Sequence, residues 1–450
     1  MPANRAGFEP CSLRSAGRGM LRVRMSFRQV PVERPVELLH DGDVVYARAG
    51  ESLAEALLGA DRVVLSRSPK LHRPRGPYCL RAACEGCIVR VDGVPNVMAC
   101  RYRVRGGETV ETQNVIGSRE VDLLAATDFL FPHGVDPHRL LAGVRGASAV
   151  VTRLARRVSG LGRLPETARE PVPATRREVE VLVVGGGGAG LAVAAELGAE
   201  TLLVDEGQTL GGALTRLDPD YGRALVDRAR TARVELWSAA TVLGVYREPD
   251  DGTGRLSALV AGERGLTWLR PRAIVVATGG HAPVPPFGNG DLPGIFSARA
   301  GLELLAGGIA PGERVAVVGS GPFTAAAITA LGALAVEHVP DAARVERATG
   351  KLRVRGLVAK SAEGERRVRV DAVLFDGPLA PAFELAVQAG ARVRFAPGVG
   401  YVPELDAESR AAEGVWCAGR VAGAPLPAGD APRIAASIRR FRAQPRFRAF

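Results

Sequence analysis

The chain has 450 residues, 46% of them hydrophobic, with 59 Lys and Arg against 48 Asp and Glu and a formal net charge of +11. That is enough for two or three folded domains, and it excludes collagen-like or disordered composition as well as any spanning helix, because no run of about 18 uncharged apolar residues occurs. The positive charge invites a nucleic-acid reading, but only Lys70, Lys351 and Lys360 are lysines, the arginines are scattered, and aromatics are 5%, so nucleic acid is not the expected partner.

Residues 1–24 hold five Arg and one Glu, supplying +4 of the net charge, without an apolar core for a secretory signal. Residues 1–30 are expected to be a disordered extension or a misassigned start, with Met25 as the initiator. From Pro35 the pattern becomes α+β. Val36 to Leu39, the turn Asp41-Gly42-Asp43 and Val44 to Arg48 read as a hairpin. Glu51 to Leu58 puts Leu53, Ala54, Leu57 and Leu58 on one helical face, and strands are expected at Arg62–Leu65, Ile88–Val91 and Thr109–Thr112. Hairpin, helix and returning strands predict a β-grasp domain over 31–114.

Within it, Cys79, Cys84, Cys87 and Cys100 give C-x4-C-x2-C-x12-C. The first three match plant-type [2Fe–2S] spacing, in which one tight loop wraps the cluster and a fourth thiolate arrives from a neighbouring strand. Gly76 and Gly86 suit such a loop, and Arg75 and Arg81 offset the cluster's charge. Zinc is the alternative, although structural zinc favours paired C-x2-C knuckles.

Residues 115–177 read as a helical connector, with helices around Val121–Leu130 and Pro137–Val158, ending at Pro171-Val172-Pro173. Beyond it strands and helices alternate as in doubly wound α/β domains. Val181 to Val184 runs into Gly185-Gly186-Gly187-Gly188-Ala189-Gly190 and the helix Leu191–Leu197, placing Gly185, Gly187 and Gly190 in G-x-G-x-x-G between strand and helix. These glycines permit the turn, the approach of a pyrophosphate and the packing of helix on strand. The strand Thr201–Val204 ends at Asp205-Glu206, 20 residues after Gly185, where an acid accepts hydrogen bonds from both ribose hydroxyls of FAD or NAD. Asp205 is the better placed and Glu206 the reserve; Gly212 reads as the next phosphate-side loop. Ile274 to Ala277 followed by Thr278-Gly279-Gly280 is another strand ending in a glycine turn. Residues 178–300 and 391–450 are therefore read as one nucleotide domain.

A second unit over 301–390 opens with Arg314–Val318 and Gly319-Ser320-Gly321-Pro322-Phe323-Thr324, where Thr324 replaces the third glycine and no acid stands cleanly near Val336. A structural relic and a nicotinamide site both stay open. Gly414 to Arg420 resembles the last flavin-binding strand of disulfide-reductase-like flavoproteins, with Gly419 in place and Arg420 where an acid is usual. Cys11 and Cys417 are isolated, which excludes dithiol chemistry. His281 reads as a turn histidine rather than an acid or base.

Together with His72-Arg73-Pro74-Arg75-Gly76, Val94-Pro95-Asn96-Val97 and Asn289-Gly290-Asp291-Leu292-Pro293-Gly294, these residues resemble the alpha subunit of heterotetrameric sarcosine oxidase and related amine and amino-acid dehydrogenases. Hydrogen cyanide synthase, opine oxidase and hydroxyproline dehydrogenase are among them. Some of these carry the cluster cysteines on a separate small subunit, so this chain looks like a fusion. The resemblance implies disulfide-reductase-like FAD/NAD(P)-binding Rossmann domains after the cluster domain, and FAD or NAD in the first site, with FMN at a subunit interface as a further possibility. It implies an electron-transfer subunit located in the cytoplasm. Its partner would be a D-amino-acid-oxidase-like, FAD-dependent beta subunit that oxidises an amine or amino acid. The long folate-binding region of sarcosine oxidase alpha is absent, so methylene transfer to folate is not expected. A self-contained NAD(P)H-dependent ferredoxin-type reductase, and a non-catalytic scaffold holding structural NAD or ATP, are the alternatives.

Overall fold

The computed structural model describes residues 27–69, 71–115, 117–123, 171–248, 255–263, 265–361, 364–423 and 430–444. Residues 1–24 and the expected connector helices, apart from 121–123, lie outside these. Among the described residues no helix is long and apolar enough to cross a membrane.

Alternation of apolar and polar residues builds the first sheet. Leu38 and Val45 turn inward, while Leu39 and Val44 are exposed, so the hairpin Pro35–His40 and Asp43–Arg48 has one buried face. The helix Leu53–Gly59 covers that face with Leu53, Ala54 and Leu57, while Leu58, expected on the same face, packs into the neighbouring core with Val63 and Val64. Its start is fixed by a capping box: the Glu55 amide donates to Ser52 Oγ (3.2 Å) and the Ser52 amide donates to Glu55 Oε2 (3.0 Å). The strand order Asp43–Arg48, Pro35–His40, Thr109–Thr112, Ile88–Val91, Val94–Met98 puts Thr109–Thr112 parallel to Pro35–His40 and in the centre. A mixed sheet closed over one helix is the β-grasp arrangement.

One expected element differs. Arg62–Leu65 is not a strand, although Val63, Val64 and Leu65 are buried; the pairing there is the two-residue bridge of Ser66–Arg67 with Pro74–Arg75. The β-branched run is buried because it lies under the cluster loop and the next domain, and Leu65 exchanges isolated hydrogen bonds with Arg75 and Gln113 rather than joining a ladder.

The second sheet carries the parallel series Glu235–Trp237, Thr201–Val204, Ala174–Val184, Gly265–Val276 and Val415–Cys417. Val181 to Val184 and Ile274 to Val276 are buried throughout, as parallel strands covered on both faces require. The helices Gly188–Leu197 and Ala431–Ala443 pack on one side, and the antiparallel pair Thr241–Arg247 and Leu256–Gly262 extends the other. A third, wholly parallel sheet holds Ile295–Ser297, Ala372–Asp376, Val315–Gly319 and Ala335–Val339. The architecture is a β-grasp domain joined to two Rossmann-like units.

Two of the three resemblance motifs form a clasp between these parts, while the third, Val94-Pro95-Asn96-Val97, lies in the edge strand of the first sheet. Asp291 Oδ1 and Oδ2 accept from Arg73 at 2.6 and 2.8 Å, and Oδ2 also accepts from Arg75 Nη1 at 2.9 Å. Gly76 closes the seam, since a Cβ there would stand 2.3 Å from Val63 O and 3.0 Å from Pro293 Cβ. Burial opposes the Asp291 charge, but the Arg73 hydrogen bond and the two guanidinium charges outweigh it, holding the carboxyl below its usual range.

Candidate functional site

The cysteine loop folds back on itself around glycine. A Cβ at Gly86 would meet Gly76 O at 2.3 Å, so the loop closes only without a side chain there. Leu80 and Ala82 take left-handed backbone angles, φ 51° and 58°, in a segment where amides turn toward sulfur. The Arg81 amide donates to Cys79 Sγ at 3.4 Å and the Ala82 amide to Cys100 Sγ at 3.3 Å. Cys100 arrives just past the strand Val94–Met98, where the Ala99 amide donates to Cys87 O at 3.0 Å.

The thiols meet in twos, Cys79 with Cys84 and Cys87 with Cys100. A hydrogen bond from Cys79 brings Cys84 down to about 6, and one from Cys87 lowers Cys100, while both donors are pushed up by giving those bonds and by burial. One lowered thiol in each pair suits metal capture, which takes deprotonated sulfur. Among the described residues no three His, Cys, Asp or Glu side chains converge as a single-ion site. Two thiol pairs with amides aimed at sulfur fit one pair of ligands for each iron of a [2Fe–2S] cluster better than the single centre of zinc.

In the glycine fingerprint the residues do three different jobs. Gly185 has φ 110°, and a Cβ there would stand 2.3 Å from Ala277 O. Gly190 packs helix on strand, since its Cβ would lie 1.9 Å from Gly185 O. Gly187 has nothing within 4 Å of such a Cβ, so it leaves the space a ligand needs. It is also the N-cap of the helix Gly188–Leu197 and supplies no side-chain cap, leaving first-turn amides open to an anion. Asp205 holds the loop: its Oδ2 accepts from the Gly186 amide (2.6 Å) and its Oδ1 from the Gly207 amide (2.7 Å). Glu206 instead faces Arg81 at 3.5 Å and Arg101 at 4.0 Å.

Gly185, Gly187, Asp205, Glu206, Gly212, Thr278 and Gly279 line one cleft, and Cys79, Arg81, Ala82 and Ala83 form part of the same wall. The cluster loop and the nucleotide fingerprint thus share a cavity. Gly190 and Gly419 are not at its surface: the first packs under the turn, and a Cβ on the second would meet Ala189 Cβ at 2.6 Å. Thr278 Oγ1 donates to Ala382 O at 2.6 Å, pinning the crossover between the two Rossmann units. Arg420, in the usual acid's place, lines the cleft with its Nε buried and unpartnered. His281 pairs at the surface with Glu384 at 3.2 Å.

The second glycine turn has a feature that its local sequence did not reveal. Asp376, from the neighbouring strand, accepts from the Phe323 amide (2.7 Å) and from Thr324 Oγ1 (2.9 Å), and a Cβ on Gly321 would meet its Oδ1 at 2.5 Å. Its carboxylate stands where a bound phosphate would be held, at the start of the helix Thr324–Leu331. Burial raises its pKa.

Residues 33–115 match the family of 2Fe-2S iron-sulfur cluster binding domains. Over 311 residues, 63% of this chain, the sequence is 29% identical to sarcosine oxidase subunit alpha of Rhizobium meliloti. Over 85 residues it is 33% identical to hydrogen cyanide synthase subunit HcnA of Pseudomonas aeruginosa, covering 81% of that protein and 19% of this chain. The chain thus carries a 2Fe-2S cluster binding domain and is similar, over 63% of its length, to sarcosine oxidase subunit alpha. It spans 32% of the length of the Rhizobium subunit, so the shared region is one part of that protein. The crystal structure of L-proline dehydrogenase from P. horikoshii aligns with 92% of this chain and 75% of its own at TM-score 0.67 and 22% identity, a likeness of fold. This chain joins a cluster domain similar to HcnA to Rossmann units.

Proposed function

We propose that this chain is the electron-transfer, alpha-type subunit of a multi-subunit FAD-dependent dehydrogenase or oxidase acting on a secondary amine or amino acid. The observation that carries the proposal is the shared cleft: Cys79 and the cluster loop form one wall, and Gly187 with the open helix N-terminus forms another. Cys79, Cys84, Cys87 and Cys100 would hold the [2Fe–2S] cluster, which supplies one-electron transfer when bound. The chain's own residues bind and place. The Gly185–Gly190 loop receives the pyrophosphate of FAD, or of NAD in the same site, and Asp205 fixes that loop while keeping free lone pairs for ribose. Arg81 and Arg101 hold Glu206 at the seam between cluster and nucleotide. Thr278 and Gly279 border the far side of the cleft.

Substrate oxidation belongs, in this reading, to a separate D-amino-acid-oxidase-like beta subunit, in line with subunit-type relatives. The complex would work in the cytoplasm, where cluster thiols stay reduced. Asp376 counts against a self-contained NAD(P)H reductase, because it already occupies the anion position of the second glycine turn.

The test uses the full chain purified with iron. Broad visible absorption and an EPR signal on reduction are expected, and adding the partner subunit with its amine should bleach the cluster. A colourless zinc protein would overturn the cluster assignment. Rapid dye reduction by NADH with the chain alone would overturn the subunit role.

A further inference from the structure

Arg299 is the second residue of the helix Ala298–Ala306, whose N-cap is Ser297, and it lines the same cleft as Arg81. Its Nε and Nη2 are buried without a hydrogen-bond partner, and its Cζ lies 5.8 Å from the centre of the Phe323 ring. A guanidinium carries five donors in a fixed fork and keeps its charge, so burying it unpaired is costly. The acids whose charge reaches it are Glu303, Asp205 and Glu206. Each is engaged elsewhere. Glu303 Oε2 accepts from Arg216 at 2.6 and 2.9 Å, Asp205 holds the Gly186 and Gly207 amides, and Glu206 faces Arg81 and Arg101. Burial, and then the like charge of Arg81, push Arg299 down to about 9.

We infer that Arg299 recognises a phosphoryl group of the adenine nucleotide bound in the cleft, with Arg81 of the cluster loop as the second cation around that anion. The inference rests on the nucleotide reading given above. A phosphoryl group fits for two reasons: it is a permanent anion, and two of its oxygens match the guanidinium fork. A neutral ring carbonyl would satisfy one donor and leave the charge unbalanced. The pyrophosphate of a dinucleotide and the terminal phosphate of a mononucleotide both present that chemistry. Because Arg81 lies between Cys79 and Cys84, the same anion ties the nucleotide to the cluster loop.

The test titrates the nucleotide-free, cluster-loaded full chain with adenosine, AMP, ADP, NAD and FAD by calorimetry, comparing wild type with R299Q and R299K. R299Q should weaken phosphate-bearing probes about tenfold or more while leaving adenosine within about twofold, and R299K should fall between. The first probe in the series to show the loss identifies which phosphate is read. Cluster absorbance and the melting midpoint report whether each variant is folded. If R299Q does not fold, R299K decides: it keeps the charge without the fork, and a smaller loss confined to the phosphate-bearing probes is expected. Unchanged affinity for every phosphate-bearing probe overturns the inference, as does an equal loss for adenosine, which would mark a packing role. Failure of wild type to bind any probe, adenosine included, overturns the nucleotide reading itself.

Discussion

Two alanines in the fingerprint should separate binding from folding. At Gly187 the backbone is extended, φ −77° and ψ −178°, and a Cβ meets nothing within 4 Å, so alanine fits without strain. Losing glycine at the N-cap costs about 0.5–1 kcal/mol, while stiffening the unfolded chain returns about 0.4–1 kcal/mol, leaving stability within about 0.5 kcal/mol of wild type. That methyl, however, fills the one open face of the loop. A pyrophosphate displaced from the Gly188 and Ala189 amides should lose about 1.4–2.8 kcal/mol, or tenfold to a hundredfold in affinity. Gly190→Ala is the reverse case. Its Cβ would stand 1.9 Å from Gly185 O, a backbone atom of the turn, so helix and strand must part. Overpacking of that kind costs about 1–3 kcal/mol, against a gain of up to about 1 kcal/mol from helix propensity. The net loss should lower the melting midpoint of the nucleotide unit by roughly 2–4 °C per kcal/mol. Differential scanning calorimetry paired with FAD and NAD titration checks both. The reasoning fails if Gly187→Ala binds both nucleotides like wild type, or if Gly190→Ala melts where wild type does.

Cys84→Ser and Cys100→Ser should each break one thiol pair and abolish the visible spectrum and reduced EPR signal, whereas Cys417→Ser, far from the cluster loop in sequence and buried in the strand Val415–Cys417, should leave the spectrum intact. Asp291→Ala should loosen the clasp by about 1 kcal/mol, at the low end because the carboxylate is a third exposed, and should speed proteolytic separation of the two parts. The lowered Asp291 pKa makes the same contact pH-dependent: it is present above the unfolded value near 3.8 and lost as pH falls through the lower folded value. Burial lowers His40 from 6.5 to about 4, so between those values the unfolded chain takes up a proton that the folded domain refuses. The cluster domain should lose about 2 kcal/mol by pH 5, and His40→Asn should flatten that slope in pH-dependent melting.

What was legible in the sequence was local. The cysteine loop and the first glycine turn are each encoded within a dozen consecutive residues, because spacing and the absence of a Cβ set their geometry. Side chains that reach the site from afar could not be read this way. Asp376 joins the second glycine turn from 52 residues beyond Thr324, and Asp291 joins Arg73 across 218 residues. Arg299 sits in an unremarkable helix start and gains meaning only through burial. The acid pair at the end of Thr201–Val204 was half legible: spacing picks out Asp205, but only the fold shows that it braces the loop while Glu206 turns to the cluster domain. The expected strand Arg62–Leu65 illustrates the opposite error, in which burial between two domains mimics the apolar run of a ladder.

The fusion of cluster and nucleotide domains has a physical consequence beyond economy of subunits. A separate cluster protein would have to find its partner and reform the seam at each encounter, with a geometry no better than that interface. Here Arg73 and Arg75 converge on Asp291, Arg353 pairs with Asp61 at 2.5 Å, and the Ser297 amide donates to Tyr78 O at 2.9 Å immediately before the cluster cysteines. The last contact couples the helix that carries Arg299 to the residue preceding Cys79. A shift of that helix on nucleotide binding therefore cannot leave the cluster loop untouched. The clasp holds the cysteine loop against the cleft, so the candidate nucleotide site and the candidate cluster site are built as one unit.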